Sequence, residues 1–241
     1  MTKISSIICF IPILSFGQLS PEIDKLHKEL SKSERVESAF IGYGGAESGV
    51  YKLFKEIDRK ASDKEVEYIA THGNAVSKSY AAKIAFRRKL NVMEKLFTSY
   101  LKNNEKIITM QGCTVSDSYL TDELYQHIFW EKKNIKEKVF KRQYKDSIQS
   151  LKNPEQGLLD FVNMLDTEES KWTEQEIDSL FVQFDQLILN DPASSQNLVE
   201  FIAESYYDTA IKHPGYYNKL AYFEKKYNSD MIRRYMEFSS N

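Results

Sequence analysis

"ASDKEVEYIATHGNAVSKSYAAKIAFRRK", Ala61 to Lys89, is the stretch whose reading sets the fold. Ser62 with Glu65 three residues on is a capping box, in which each side chain satisfies the other residue's orphan backbone donor. The pattern predicts a short helix ending near Thr71, and "HGN" at 72–74 is a connection short enough to return the chain antiparallel. Ala75 to about Lys89 reads as the second helix. Val76, Tyr80, Ile84 and Phe86 are expected inward, while Ala75, Ala81, Ala82 and Ala85 are small enough to let a neighbour approach. Arg87, Arg88 and Lys89 then place positive charge at the carbonyl end, where the helix dipole favours cations.

Working outward, the same habit recurs. The 241 residues are 41% apolar with 9 glycines and 5 prolines, a composition that favours long helices over many tight turns and predicts an all-α fold. Ser20 before Pro21 starts a helix in "SPEIDKLHKELSK", since proline at the first helical position gives up a donor that has no partner there anyway. Ser48 is the expected cap of "GVYKLFKEIDRK", where Val50, Leu53, Phe54 and Ile57 share a face. Thr173 and Glu176 form a second capping box ahead of Ile177, Leu180, Phe181, Phe184, Leu187 and Ile188. Helices over 198–213 and 214–227 and a short one from Ser229 follow. "EKIITM" at 105–110 has β-like composition, but the sequence offers no clear second run for it to pair with.

Ala61–Lys89 resembles a HEAT repeat: a short helix, a turn, then a valine leading an alanine-rich second helix, although Ser77 stands where such repeats often carry arginine. The resemblance implies antiparallel helical hairpins stacked as an α/α superhelix, a HEAT-like solenoid with an extended surface that binds another protein. Leu90–Phe129, with Met93, Leu96, Phe97, Tyr100 and Leu101 and then Leu120, Leu124 and Ile128, reads as a degenerate further repeat. Residues 18–47 would be an N-terminal helix and a glycine-rich lead-in loop, and 48–241 the helical-repeat domain, with a sub-boundary near 152–172.

Residues 1–17 fit a secretory signal peptide. Lys3 precedes an apolar run from Ile7 to Leu14, and Ser15 and Gly17 are the small residues before a cut after Gly17. The expected location is periplasmic or extracellular. Cys9 follows Ile8 in mid-run, which does not suit lipidation. Cleavage takes Lys3 from the 33 basic residues, leaving 32 against 35 acids, a balance that argues against nucleic acid as a partner. No other run approaches the roughly 20 residues of a membrane span, so no span is expected in the mature chain.

The chemistry-bearing candidates are few. "FIGYGGAESGVYKLF", 40–54, contains Gly44 and Gly49 at phosphate-loop spacing. Val50 and Tyr51 nevertheless occupy the positions of the lysine and hydroxyl that such a loop needs, and Glu47 spoils a dinucleotide fingerprint, so no cofactor is expected. The histidines at 27, 72, 127 and 213 are scattered, and no metal site is expected. Cys113, the one thiol left after cleavage, reads as a packed small apolar residue, or as a nucleophile if His72 or His127 lies beside it. Residues 131–146 carry seven Lys or Arg against three acids, and Phe140, Tyr144, Ile148 and Leu151 at helical spacing make the charges the wet side of a helix rather than an anion site. Seven tyrosines fall in the last thirty-six residues, and Tyr206, Tyr207, Tyr216 and Tyr217 are the candidate interaction surface, with core filling as the competing role. The reading is a non-catalytic scaffold for a protein partner. The alternatives are a helical hydrolase around Cys113 or a small-ligand-binding helical protein.

Overall fold

Helix start signals place most of the observed elements. The computed structural model describes residues 19–165 and 169–240, so the expected signal peptide lies outside the described residues. In chain order the elements are α1 (Pro21–Leu30), β1 (Arg35–Ile41), β2 (Ala46–Glu47), α2 (Gly49–Lys60), α3 (Asp63–His72), α4 (Ala75–Arg87) and α5 (Met93–Lys102). They continue with β3 (Lys106–Gly112), β4 (Thr114–Tyr119), α6 (Leu120–Gln149), α7 (Gln156–Met164), α8 (Glu174–Asn190) and α9 (Gln196–Asp208). A 3₁₀ turn (Pro214–Tyr216), α10 (Tyr217–Tyr227) and α11 (Asp230–Ser240) complete the described chain. It is mostly helical, with a small mixed sheet of order β2-β1-β3-β4.

The capping boxes form as their spacing requires. Ser62 and Glu65 cap α3, and Thr173 and Glu176 cap α8. The Ser48 Oγ accepts the Tyr51 N–H at 2.9 Å to cap α2, and Asn74 caps α4 through the Ser77 N–H. Glu65 also does more than its motif asks. One carboxylate oxygen takes the Ser62 N–H and hydroxyl at 2.8 and 2.7 Å, and the other takes the Ser20 N–H and hydroxyl at 2.8 and 2.7 Å. A single side chain therefore fastens the starts of α1 and α3, while Ser20 makes no side-chain cap to its own helix.

The sheet corrects the all-α expectation. "EKIITM" has partners on both sides: β3 runs parallel to β1, with Val36 opposite Thr109, and antiparallel to β4, with Thr109 opposite Ser116. The parallel pairing joins segments separated by four helices, a crossover that local pattern does not reveal. The glycine-rich stretch is correspondingly a hairpin turn rather than a lead-in loop. Gly42 and Gly45 adopt φ of 72° and 62°, which glycine accepts without steric cost, and turn β1 into β2.

β2 is only two residues long and covers β1 at Phe40 and Ile41. Further up the same edge, the Tyr80 hydroxyl accepts the Glu37 N–H at 2.7 Å and donates to the Glu37 carbonyl at 2.8 Å. A side chain of α4 thus does the work of a missing strand, and its ring stacks on Phe54 of α2 at 4.8 Å. Elsewhere aromatic pairs join the helices. Phe97 of α5 stacks on Phe184 of α8 at 4.0 Å, Tyr125 of α6 meets Phe181 edge-on at 5.1 Å, and the Trp172 indole N–H donates to the Phe86 carbonyl at 2.6 Å.

Two substitutions test these fastenings. Tyr80→Phe leaves a buried donor and acceptor of Glu37 without partners, and is expected to cost about 2–3 kcal/mol in chemical denaturation, since each such group costs roughly 1–3 kcal/mol. Glu65→Ala removes support from two helix starts, each worth on the order of 1 kcal/mol, and should lower the melting temperature by several degrees at pH 7. Burial works to raise the Glu65 pKa, but the hydrogen bonds from Ser20 and Ser62 outweigh it and hold the carboxyl down to about 2. Because the folded value lies below the ordinary one, this stabilisation is present above pH 4.5 and is lost towards pH 2. The difference between wild type and Glu65→Ala in thermal melts should shrink over that interval.

Candidate functional site

Three helices turn a polar stripe towards the inner side of the sheet. On α2 the stripe is Tyr51, Phe54, Lys55 and Asp58; on α4 it is Tyr80, Lys83 and Arg87; on α6 it is Glu123, His127, Glu131 and Lys138. Each set recurs at three- and four-residue steps or their multiples, so its members share a helix face. Between them and the strand residues Ser38, Thr109 and Gln111 lies a cavity of about 530 Å³. A second cavity of about 270 Å³ shares Arg87, His127 and Lys138 with it and extends to Trp172. The two are chambers of one cleft.

The cleft is rich in cations, most of them already engaged. Lys83 pairs with Glu123 at 3.3 Å, Lys138 with Glu131 at 3.3 Å, and Arg87 with the buried Asp58. Lys55 makes no ion pair among the described residues. Glu37 is neutralised from the side, taking Arg35 at 2.7 Å and the Ser48 hydroxyl at 2.6 Å. His127 sits where the field is positive. Burial first, and then Lys83, Lys138 and Arg87, push its pKa down to about 3, so the ring is neutral at physiological pH. It touches the Phe86 ring edge-on at 5.8 Å, and its nitrogens make no hydrogen bond among the described residues.

Lys138 revises the reading of the basic segment. Along the 30-residue α6 this stretch mixes exposed with half-buried positions, Phe140 is 66% exposed rather than turned inward, and the Lys138 side chain is only 16% exposed and faces both chambers. Its place on the stripe with Glu123 and His127 was available in the helical spacing.

Neither histidine weighed as a base is hydrogen-bonded to Cys113. Cys113 is exposed at the turn between β3 and β4, which corrects the packed-thiol expectation, and it has no hydrogen-bond partner among the described residues. His127 belongs to the cleft, and His72 stacks on Tyr68 at the end of α3 at 4.4 Å. Among the described residues no three His, Cys, Asp or Glu side chains gather as a metal site would need, and no helix is long and apolar enough to cross a membrane.

The four tyrosines divide. Tyr207 and Tyr217 are exposed, Tyr206 is half-buried and Tyr216 is buried. Tyr206 and Tyr125 donate to the two oxygens of the fully buried Asp185 at 2.5 and 2.6 Å. The Tyr216 hydroxyl faces the same carboxylate without closing a hydrogen bond to it. A pocket of about 270 Å³, lined in part by Lys132, Tyr206 and His213, opens beside the cluster. Burial pushes the Asp185 carboxyl up to about 6, with the tyrosine hydroxyls pulling it back. Asp122, buried at the start of α6 and taking the Ser195 hydroxyl at 3.3 Å, is raised by burial to about 6 as well.

Compared with known proteins, the chain matches no family model, no curated sequence and no solved structure.

A folded pKa above the ordinary 3.8 means that the native state holds the Asp185 proton more tightly than the unfolded chain does. Its contribution is therefore most favourable below about pH 4 and declines as pH rises through 6. Asp185→Asn keeps an acceptor for the tyrosines and removes the charge. Thermal melts from pH 5 to 8 should show a smaller fall in melting temperature for the variant than for wild type, with the Asp122 share of the slope remaining.

Proposed function

We propose that this chain is a non-catalytic helical binding protein whose cleft receives an acidic segment of a protein partner. The observation that carries the reading is the convergence of Lys55, Lys83, Arg87 and Lys138 from three helices around His127, a ring that makes no hydrogen bond of its own among the described residues. Charge-assisted hydrogen bonds to carboxylates suit such a lining. At about 530 Å³ the first chamber has room for a few side chains and not for a long polyanion, and the overall charge of −2 gives a nucleic acid no field to follow.

A binding role agrees with what the candidate reactive groups lack. His127, held near a pKa of 3, is a poor general base at neutral pH, and the exposed Cys113 makes no hydrogen bond to it. The HEAT-like arrangement belongs to the same proposal. The antiparallel α3 and α4, capped at Ser62 and Asn74, support a repeat-like unit at 61–89. Export rests on the residue pattern of 1–17 alone.

The test uses a fluorescein-labelled hexaglutamate peptide titrated with the full chain, with hexalysine as comparator. Hexaglutamate should bind more tightly, weaken with added salt, and lose about tenfold in affinity on Lys83→Met, the equivalent of about 1.4 kcal/mol. The exposed Lys55→Glu should weaken it too, without altering the melting temperature. Equal binding of the two peptides, or indifference to both substitutions, overturns the reading.

A further inference from the structure

The two edges of the sheet are treated differently. The β1 edge is closed by β2 and by the Tyr80 hydroxyl. β4, at the other edge, has no covering element among the described residues, and Thr114 to Asp117 are exposed. The Leu120 N–H donates to the Glu105 carbonyl at 2.9 Å, so in this antiparallel ladder the even-numbered residues of β4 turn their backbone groups to β3. Val115 and Asp117 therefore present N–H and C=O to the open edge, where no described residue meets them. Edge strands are commonly guarded by lysine, proline or a bulge. "TVSDSY" contains no lysine and no proline, pairs with β3 in unbroken register, and carries Asp117 as its one charge.

The side chains of these two residues share the outer face with their cross-strand partners. Asp117 stands opposite Ile108 and Val115 opposite Met110. Val115 and Ile108 are 54% and 38% exposed. We infer that the β4 edge accepts an extended segment of a partner polypeptide, paired antiparallel, with a basic side chain facing Asp117 and an apolar one, two positions along, facing Val115. Backbone hydrogen bonds would supply the pairing and the alternating side chains the selectivity. A second copy of this chain suits the edge poorly. Twofold pairing of β4 with itself, in the registers centred on Ser116 or Asp117 that use most of the strand, sets the two Asp117 carboxylates directly opposite or on the diagonal of one face, with no cation on the strand to separate them, and like charges so placed are unfavourable. This inference concerns a different surface from the cleft and stands or falls separately.

The probe is the peptide acetyl-Thr-Lys-Thr-Val-Thr-amide, added at millimolar concentration to the ¹⁵N-labelled full chain. Amide shifts should concentrate on Thr114–Tyr119, and methylating the peptide nitrogens of its lysine and valine should abolish them. Val115→Pro removes an edge donor that makes no bond within the sheet, so it should weaken binding at least tenfold while leaving the melting temperature in place. Asp117→Lys should reverse the preference, favouring the peptide with glutamate in place of lysine. This exchange decides the matter even if the proline variant fails to fold. Shifts confined to the cleft, an undiminished response to the methylated peptide, or an unchanged preference in Asp117→Lys would each overturn the inference. So would a concentration-dependent dimer in sedimentation that Val115→Pro dissolves, since the edge would then belong to a second copy.

Discussion

A backbone donor and acceptor at Glu37, left without a strand to meet them, are the constraint on which the arrangement around the cleft depends. Buried peptide groups must find partners. Here one phenolic hydroxyl meets both, and because Tyr80 sits on the same helix face as Lys83 and Arg87, satisfying Glu37 also fixes how α4 stands against the sheet. Phe54 stacks on that ring and brings α2 to the same place. The cleft is the space left when three helices are held at a sheet edge by one polar anchor and its aromatic neighbour.

The charges inside follow from that geometry. Beside the apolar core that α4 and α6 share, the cleft side joins helices by ion pairs, Lys83 of α4 with Glu123 of α6 and Arg87 of α4 with Asp58 of α2. Burial foremost, with Lys83, Lys138 and Arg87 adding to it, keeps His127 neutral at the centre. Around Asp185 the chain uses the opposite device: a carboxylate is kept in the interior by phenols that donate to it, with no cation hydrogen-bonded to it among the described residues. One site answers charge with charge, and the other answers it with hydroxyls.

Much of the helical frame was legible in the sequence, because caps and apolar spacing are local. Ser48, Ser62 and Thr173 mark starts that the structure keeps. The sheet was not legible for the same reason. β1 and β3 pair across four helices, and "RVESAFI" alternates too imperfectly to announce itself, with Glu37 buried by contacts to Arg35, Ser48 and Tyr80 that only the fold supplies. The cleft was half legible. The stripes of α4 and α6 are written in their spacing, but apolar periodicity draws the eye to Ile84 and Ile128 and leaves Lys83, His127 and Lys138 on what reads as the wet side. Of the tyrosines, number alone suggested a surface, whereas Tyr206 and Tyr216 are drawn inward by an aspartate some twenty to thirty residues earlier.

The double role of Glu65 bears on how this chain acquires its shape. The carboxylate that starts α3 also holds the first turn of α1, forty-five residues upstream, so the N-terminal helix has no finished beginning of its own until the α3–α4 hairpin exists. Order in that part of the molecule is borrowed. The hairpin, whose caps are local, is able to form first, and α1 then docks by lending its orphan donors to a side chain already in position. In such an arrangement α1 keeps its apolar anchors Ile23 and Leu30 but loses its start when α3 loosens, and amide exchange along α1 should report the integrity of a helix to which it is not adjacent in sequence.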